Sequence, residues 1–200
     1  MMNTLKCELE TKEFSETVQQ LIALHSVEEI VETGTFEGTG STLVFAKTGL
    51  PVQTIECNPS RIIQARKNLL AFPNVHIHHA LSLRMEDMVA FLKEDNYSFP
   101  PGLREDSLTP LDFYLNEIQT EVERENALID LISTDRKQLI FLDSAGGIGY
   151  LEFKAVIGHK QSKGKILMLD DVDHVKHYRS VKELSFAKTS SDGRFAWAIL

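Results

Sequence analysis

The residues in this chain best suited to chemistry are a set of acids and a set of glycines. Glu32, Glu56, Asp143 and the pair Asp170–Asp171 each stand where an apolar run ends. Gly34, Gly38 and Gly40 follow Glu32 in a G-x-x-x-G-x-G spacing. An acid that closes a strand either caps the next helix or faces a ligand beyond the strand's carboxyl end. Any one of these acids fits both roles equally. All of them together, each after an apolar strand, favour a ligand site. Glycines in such a turn let the backbone approach a ligand where a side chain would collide.

Glu56 lies about 20 residues beyond the glycine loop, the place from which a carboxylate accepts hydrogen bonds from the hydroxyls of a ribose. A nucleoside with a free 2′-OH is implied. The glycine order is not the G-x-G-x-x-G of dinucleotide binders, and no Lys-Ser/Thr follows Gly40, which excludes a P-loop. His174 and His177 follow Asp170–Asp171 and share one face if that stretch is helical. Histidine titrates near neutral pH and suits a general base; the alternative is a solvated polar face with Lys176 and Arg179. His76, His78 and His79 alternate along a strand with no fourth ligand apparent, so zinc is not expected.

The elements that must position these residues alternate. Phe14, Val18, Leu21, Ile22 and Leu24 predict a helix over 15–25. A short apolar strand over 27–31 leads to Glu32, and 41–47 has helical character. A second strand over 52–55 ends at Glu56. Asn58 can cap a helix that Pro59 begins, running to about Phe72. A polar strand over 75–80 and a helix over 82–93 complete β-α-β-α-β-α, which implies parallel strands joined by right-handed crossovers. A loop over 96–109 breaks the rhythm. Thr109 and Pro110 then open a long helix with an apolar stripe of Leu111, Leu115, Ile118 and Val122. This insertion, 96–133, reads as a lid, a homodimer surface, or both. Strand 138–142 ends at Asp143, loop 144–150 precedes a helix over 151–159, and strand 165–169 ends at Asp170–Asp171. A helix over 174–183 and a closing hairpin about Ser191–Gly193 finish the chain.

The chain's 200 residues fit one α/β domain over 1–200, with 42% hydrophobic and 25% charged residues. A net charge of −8 argues against a broad nucleic-acid surface, which wants a basic face. Cys7 and Cys57 form no disulfide framework or metal knuckle, as suits a reducing compartment. The opening MMNTLKCELE has no apolar core, so no signal peptide is expected, and no run approaches a membrane span. A cytoplasmic protein with no membrane partner is the expectation.

Four stretches together, ETGTFEGTGST (32–42), IECNP (55–59), IFLDS (140–144) and ILMLDDV (166–172), resemble the class I S-adenosylmethionine-dependent methyltransferases. The resemblance covers nearly all of the chain outside the N-terminal segment and the insertion. It implies a Rossmann-like methyltransferase fold: a mostly parallel seven-stranded sheet whose last strand is antiparallel, with helices on both faces. It implies cofactor contacts from Glu32, Gly34, Thr35, Phe36, Gly38, Gly40 and Ser41. It also implies ribose contacts from Glu56 beside Cys57, and adenine contacts from Ala80, Leu81 and Ser82.

The second half is similar to small-molecule O-methyltransferases of the catechol type. That likeness implies a divalent cation, Mg²⁺ or another, held by Asp143, Asp170 and Asp171, with Asp143 also near the cofactor. Three crowded carboxylates repel unless protonated or neutralised, and oxygen-only ligands suit such an ion. The alternative is that Asp171 caps a helix and Asp143 only meets the cofactor amine. The expected function is methyl transfer to a small-molecule acceptor, at a hydroxyl, with Asp143, His174 or His177 in the catalytic role. An NAD-linked oxidoreductase and a non-catalytic cofactor-binding scaffold are the alternatives. No N-P-P-Y-like signature follows the fourth strand, which argues against amino-methylation of nucleic acid.

Overall fold

The structure is a computed structural model and describes residues 12–95, 100–101, 103, 111–184 and 186–200. The 96–109 loop, the Thr109 cap and Pro110 lie almost wholly outside the described residues, as does the N-terminal lead-in.

The central strands form where the sequence is most continuously apolar. β4 (Gln138–Leu142) and β5 (Ile166–Leu169) are buried along their whole length, as strands covered on both faces must be. β1 (Glu29–Thr33) is buried throughout despite two acids. Its Glu29 is compensated by Arg136 Nη1 at 2.6 Å and Gln138 Nε2 at 2.7 Å. β2 (Val52–Glu56) and β3 (Val75–His79) extend the sheet on one side, and β7 (Ala196–Ile199) with β6 (Lys188–Thr189) on the other. The order is β3-β2-β1-β4-β5-β7-β6, with β7 antiparallel to both neighbours and the rest of the sheet parallel. The expected mostly parallel seven-stranded sheet is therefore present.

Alternation along each strand divides the core into two layers. Ile30, Leu139, Phe141, Ile166 and Met168 face α1 (Lys12–His25) and α2 (Ser41–Ala46). There Phe14 meets Phe45, Phe141 and Phe195 with ring centroids 5.3–5.8 Å apart. Val31, Ile140, Leu142, Leu167 and Leu169 face the other way, onto Leu128 of α6 (Ala127–Leu131) and Phe153 and Val156 of α7 (Gly147–Gly158). The Asn58 side chain caps α3 (Pro59–Asn68), accepting from Ser60 N at 2.9 Å and Arg61 N at 3.3 Å, with Pro59 at the first position.

Three expected elements differ. The helix of the insertion, α5 (Leu111–Ile118), stops before Val122. The chain beyond it runs beside the outer sheet edge, where Glu123 N donates to His79 O and Leu81 N donates to Arg124 O, so exposed strand-end groups are satisfied. The glycine-rich stretch after Asp143 is helical from Gly147 rather than a loop through Tyr150, because Gly146 at φ +58° makes the turn. The last helix, α8 (Tyr178–Glu183), begins later than 174; residues 174–177 are turns. α4 (Met85–Glu94) packs against both α5 and α7. Among the described residues no helix is long and apolar enough to cross a membrane.

Candidate active site

Between β1 and β4 the sheet order reverses, and that switch point is where open α/β sheets bind ligands. A cavity of about 670 Å³ opens there, at the carboxyl ends of β1 to β5. Gly34 follows β1, Glu56 and Cys57 close and follow β2, and Ala80, Leu81 and Ser82 follow β3. Asp143 follows β4, and Asp170 and Asp171 follow β5.

Gly34 is a close approach. It lies at φ +82°, and a Cβ there would fall 2.5 Å from the Asp143 carbonyl oxygen. The first loop therefore lies directly against the end of β4, and only glycine fits.

Glu56 is 5% exposed and faces the cavity. Its Oε2 accepts from Phe36 N at 2.8 Å and its Oε1 from Asn58 N at 2.9 Å. Each carboxylate oxygen has a second lone pair for a ligand hydroxyl. Burial raises the Glu56 pKa; the Asn58 amide, the Arg61 charge and the Phe36 amide oppose that rise. Arg61 Nη1 is 3.9 Å from Glu56 Oε1, its Nη2 is 2.5 Å from Glu117 Oε1 of α5, and its guanidinium covers the Phe36 ring at 5.0 Å. The insertion thus supplies a wall of the cavity through Glu117, Ile118 and Phe113. Cys57 lines the same wall as a thiol, its pKa pushed up to about 12 by burial and then by the Glu56 and Glu117 charges.

Several residues expected to touch cofactor lie behind the cavity wall. Glu32 is wholly buried and accepts from Ser41 Oγ at 2.5 Å, Thr54 Oγ1 at 2.6 Å and Thr42 Oγ1 at 2.7 Å. It clamps the start of α2 and the middle of β2 to β1, and burial raises its pKa to about 7 against three hydroxyl hydrogen bonds. Thr35 shares a 2.6 Å hydrogen bond with Thr54. Gly38, at φ +70°, lets the loop pack on Leu69, whose Cδ1 would be 2.6 Å from a Cβ. The Gly40 carbonyl accepts from Leu43 N and Val44 N of α2. Gly38, Gly40, Ser41 and Thr35 shape the loop, while Gly34 and Phe36 face the cavity.

Asp143, Asp170 and Asp171 are brought together as the sequence predicts, with oxygens within 4.8 Å of one another. The space among them is filled by a cation of the chain itself. Lys176 Nζ hydrogen-bonds Asp143 Oδ1, lies 2.7 Å from Asp171 Oδ2 and 3.9 Å from Asp170 Oδ2. Arg194 Nη2 reaches Asp171 Oδ1 at 3.2 Å. The Lys176 ammonium thus stands in the place that a divalent ion shared by the three carboxylates would take. Burial raises the Asp143 and Asp170 pKa values, and burial would lower that of Lys176 but the three carboxylates outweigh it and raise it. Asp171 sits at φ +52°, a left-handed conformation that aspartate tolerates.

His174 and His177 do not line the cavity. The His177 ring is fully buried between Leu142 O at 3.1 Å and Ser180 Oγ at 3.2 Å. Burial, then the Lys176 charge, drives its pKa down to about 3. It is neutral at ordinary pH with both ring nitrogens engaged, so it is not placed to take a proton from a ligand. His174 Nδ1 accepts from Lys176 N at 3.2 Å. The expectation of a base on this pair fails because 174–177 is a turn that points Lys176, not the imidazoles, at the aspartates.

Sequence reasoning also missed Glu152. It is fully buried on α7 and accepts from Ser144 Oγ at 2.6 Å and Thr33 Oγ1 at 2.8 Å, tying together the ends of β1 and β4. Burial lifts its pKa to about 7. Arg61 had a readable signal, standing in the first turn after a strand-end acid. Lys176, in contrast, reads as an ordinary surface lysine.

No family model matches the sequence, and no curated protein matches it. Solved structures do match in fold. A Staphylococcus aureus protein assigned as a caffeoyl-CoA O-methyltransferase aligns over 94% of this chain and 83% of its own, at 17% identity and a TM-score of 0.57. A Bacillus cereus O-methyltransferase in complex with SAH aligns over 95% and 82%, at 15% identity and a TM-score of 0.53. A SAH-bound Podospora anserina methyltransferase aligns over 92% and 76%, at 15% identity and a TM-score of 0.51. The chain has the Rossmann-like methyltransferase fold.

Proposed function

We propose that this chain is an S-adenosylmethionine-dependent methyltransferase acting on a small-molecule acceptor at a hydroxyl oxygen. The observation that carries the reading is Glu56. It is a buried carboxylate at the end of β2, held by the Phe36 and Asn58 amides and facing the switch-point cavity beside Gly34. That is where a ribose would present its two hydroxyls. The SAH bound in two proteins of the same fold supports the choice of nucleoside.

Bound S-adenosylmethionine would supply a methyl group on a positively charged sulfur. This chain's residues provide the rest. Glu56 accepts from the ribose hydroxyls. Gly34, packed on the end of β4 and lining the cavity, would border the methionyl portion. Ala80, Leu81 and Ser82, which line the cavity after β3, would border the adenine. Phe36, Phe113 and Ile148 give the cavity an apolar wall, and Asp143 with Lys176 would face the acceptor's oxygen. Holding acceptor and donor in line is the main contribution such a site makes. The insertion, as a wall of the cavity, is the element proposed to select the acceptor.

Calorimetric titration with S-adenosylhomocysteine tests this. Glu56→Ala is expected to bind about 10- to 100-fold more weakly than the wild type, the scale of losing hydrogen bonds to a charged group. NAD is expected not to bind, which separates this reading from an oxidoreductase. Undiminished binding by Glu56→Ala, or preference for NAD, would overturn it.

A further inference from the structure

We infer that the Lys176 ammonium is a built-in cation that takes the place of a divalent metal ion among Asp143, Asp170 and Asp171. The chemistry at this end of the sheet therefore runs without a metal. This concerns the carboxylate cluster itself; only its consequence for catalysis rests on the function proposed above.

Distance is the first argument. Inner-sphere Mg²⁺–oxygen contacts are about 2.0–2.1 Å and Ca²⁺ contacts about 2.3–2.6 Å. The Lys176 nitrogen instead stands 2.7 Å from Asp171 and 3.9 Å from Asp170, and hydrogen-bonds Asp143. The three oxygens lie within 4.8 Å of one another with the ammonium among them, so an ion could reach them only by displacing it. Charge is the second argument. Lys176 and Arg194 each bring one positive charge to the same aspartates, together the charge of one divalent ion.

The surroundings also fix the lysine. Lys176 N donates to His174 Nδ1. His177, next along the chain, is anchored to the Leu142 carbonyl at the end of β4. It also lies against Gly149, where a Cβ would come within 3.1 Å of the ring. The two histidines thus hold the turn from both sides, and the lysine between them has one direction left. Its side chain is 14% exposed and lines the cavity. An acceptor oxygen approaching Asp143 meets a lysine N–H where a metal enzyme would offer an ion.

Manganese titration followed by electron paramagnetic resonance of free Mn²⁺ tests the inference on the full chain. The wild type is expected to show no saturable binding up to about 1 mM, the weak end of oxygen-ligand sites. Its thermal unfolding is expected to be indifferent to EDTA. Lys176→Met is expected to bind Mn²⁺ at least about tenfold more tightly than the wild type, because no ammonium competes for the same oxygens. Adding Asp143→Asn to that variant should remove the gain. Stoichiometric Mn²⁺ binding by the wild type, lost in Asp143→Asn, would overturn the inference. So would a folded Lys176→Met that binds no better than the wild type. Where Lys176→Met does not fold, the wild-type titration decides alone. Neither arm uses S-adenosylmethionine, so a failed Glu56 titration and a failed manganese titration refute different statements.

Discussion

Replacing Glu32 with glutamine should stabilise this protein at pH 8 and leave it nearly unchanged at pH 5. Glu32 is fully buried at the end of β1, and its pKa is raised from the ordinary 4.5 to about 7, chiefly by burial. Between those values the folded chain keeps a proton that the unfolded chain has released. Stability from this group is therefore highest below pH 4.5 and falls as pH rises, levelling off above pH 7. At about 1.4 kcal/mol per pH unit the loss across the window is on the order of 3 kcal/mol. A glutamine resembles the neutral acid and has no proton to lose. Its side-chain oxygen can accept from one of Ser41, Thr42 and Thr54, and the hydroxyls of the others can turn to accept from its amide. Glu32→Ala removes the acceptor and should cost about 2–4 kcal/mol at pH 5; at pH 8 the cost should be about 2–3 kcal/mol smaller, because alanine, like glutamine, has no proton to lose while the wild type has lost its own. Urea unfolding of the three proteins at the two pH values measures this directly. Glu152 contributes a similar slope to all three, so the comparison is between differences. If Glu32→Gln loses as much stability between pH 5 and pH 8 as the wild type, the assignment of a buried, proton-holding clamp is wrong.

Other substitutions test the packing that positions the site. Gly34→Ala places a methyl 2.5 Å from the Asp143 carbonyl at φ +82°; it should lower stability by about 2–4 kcal/mol and weaken S-adenosylhomocysteine binding, read by thermal shift and calorimetry. Phe14→Ala removes a fully buried ring in contact with three other phenylalanines and should cost about 3–5 kcal/mol in urea unfolding. Arg179→Ala breaks a two-pronged pair with Asp95 at 2.5 and 2.9 Å and uncovers the Tyr150 ring 3.9 Å beneath it. The mostly buried carboxylate then loses this two-pronged pairing, and a cost of about 2–3 kcal/mol is expected, largely relieved in the Asp95→Asn background.

Local sequence carried the fold and half of the site. Apolar runs, continuous in β4 and β5 and broken by polar residues in β1 and β2, each closed by an acid, placed these four strands. Asn58–Pro59 placed the start of α3, and the Ser191–Gly193 turn placed the antiparallel end of the sheet. These are signals within a few residues, set by burial on both faces, by capping and by turn chemistry. For the same reason Glu56 and the meeting of Asp143, Asp170 and Asp171 could be read in advance, because neighbouring parallel strands carry their end residues to one edge.

What the sequence could not decide depends on which side of the backbone a group falls and what packs against it. Glu32 and Glu56 look alike as strand-end acids. Yet the one turns inward to three hydroxyls while the other faces the cavity, a difference fixed by the loop and α2. The stretch DVDHVKHY offers two histidines and a lysine, and spacing favours the histidines. Only the folded chain, with His177 locked onto Leu142 and Gly149, turns the lysine onto the aspartates. Composition and periodicity determined that this chain would be an open α/β sheet with acids along one edge. Tertiary packing decided which acids face the cavity and which cation meets them, because orientation at a turn is set by contacts between residues far apart in the chain.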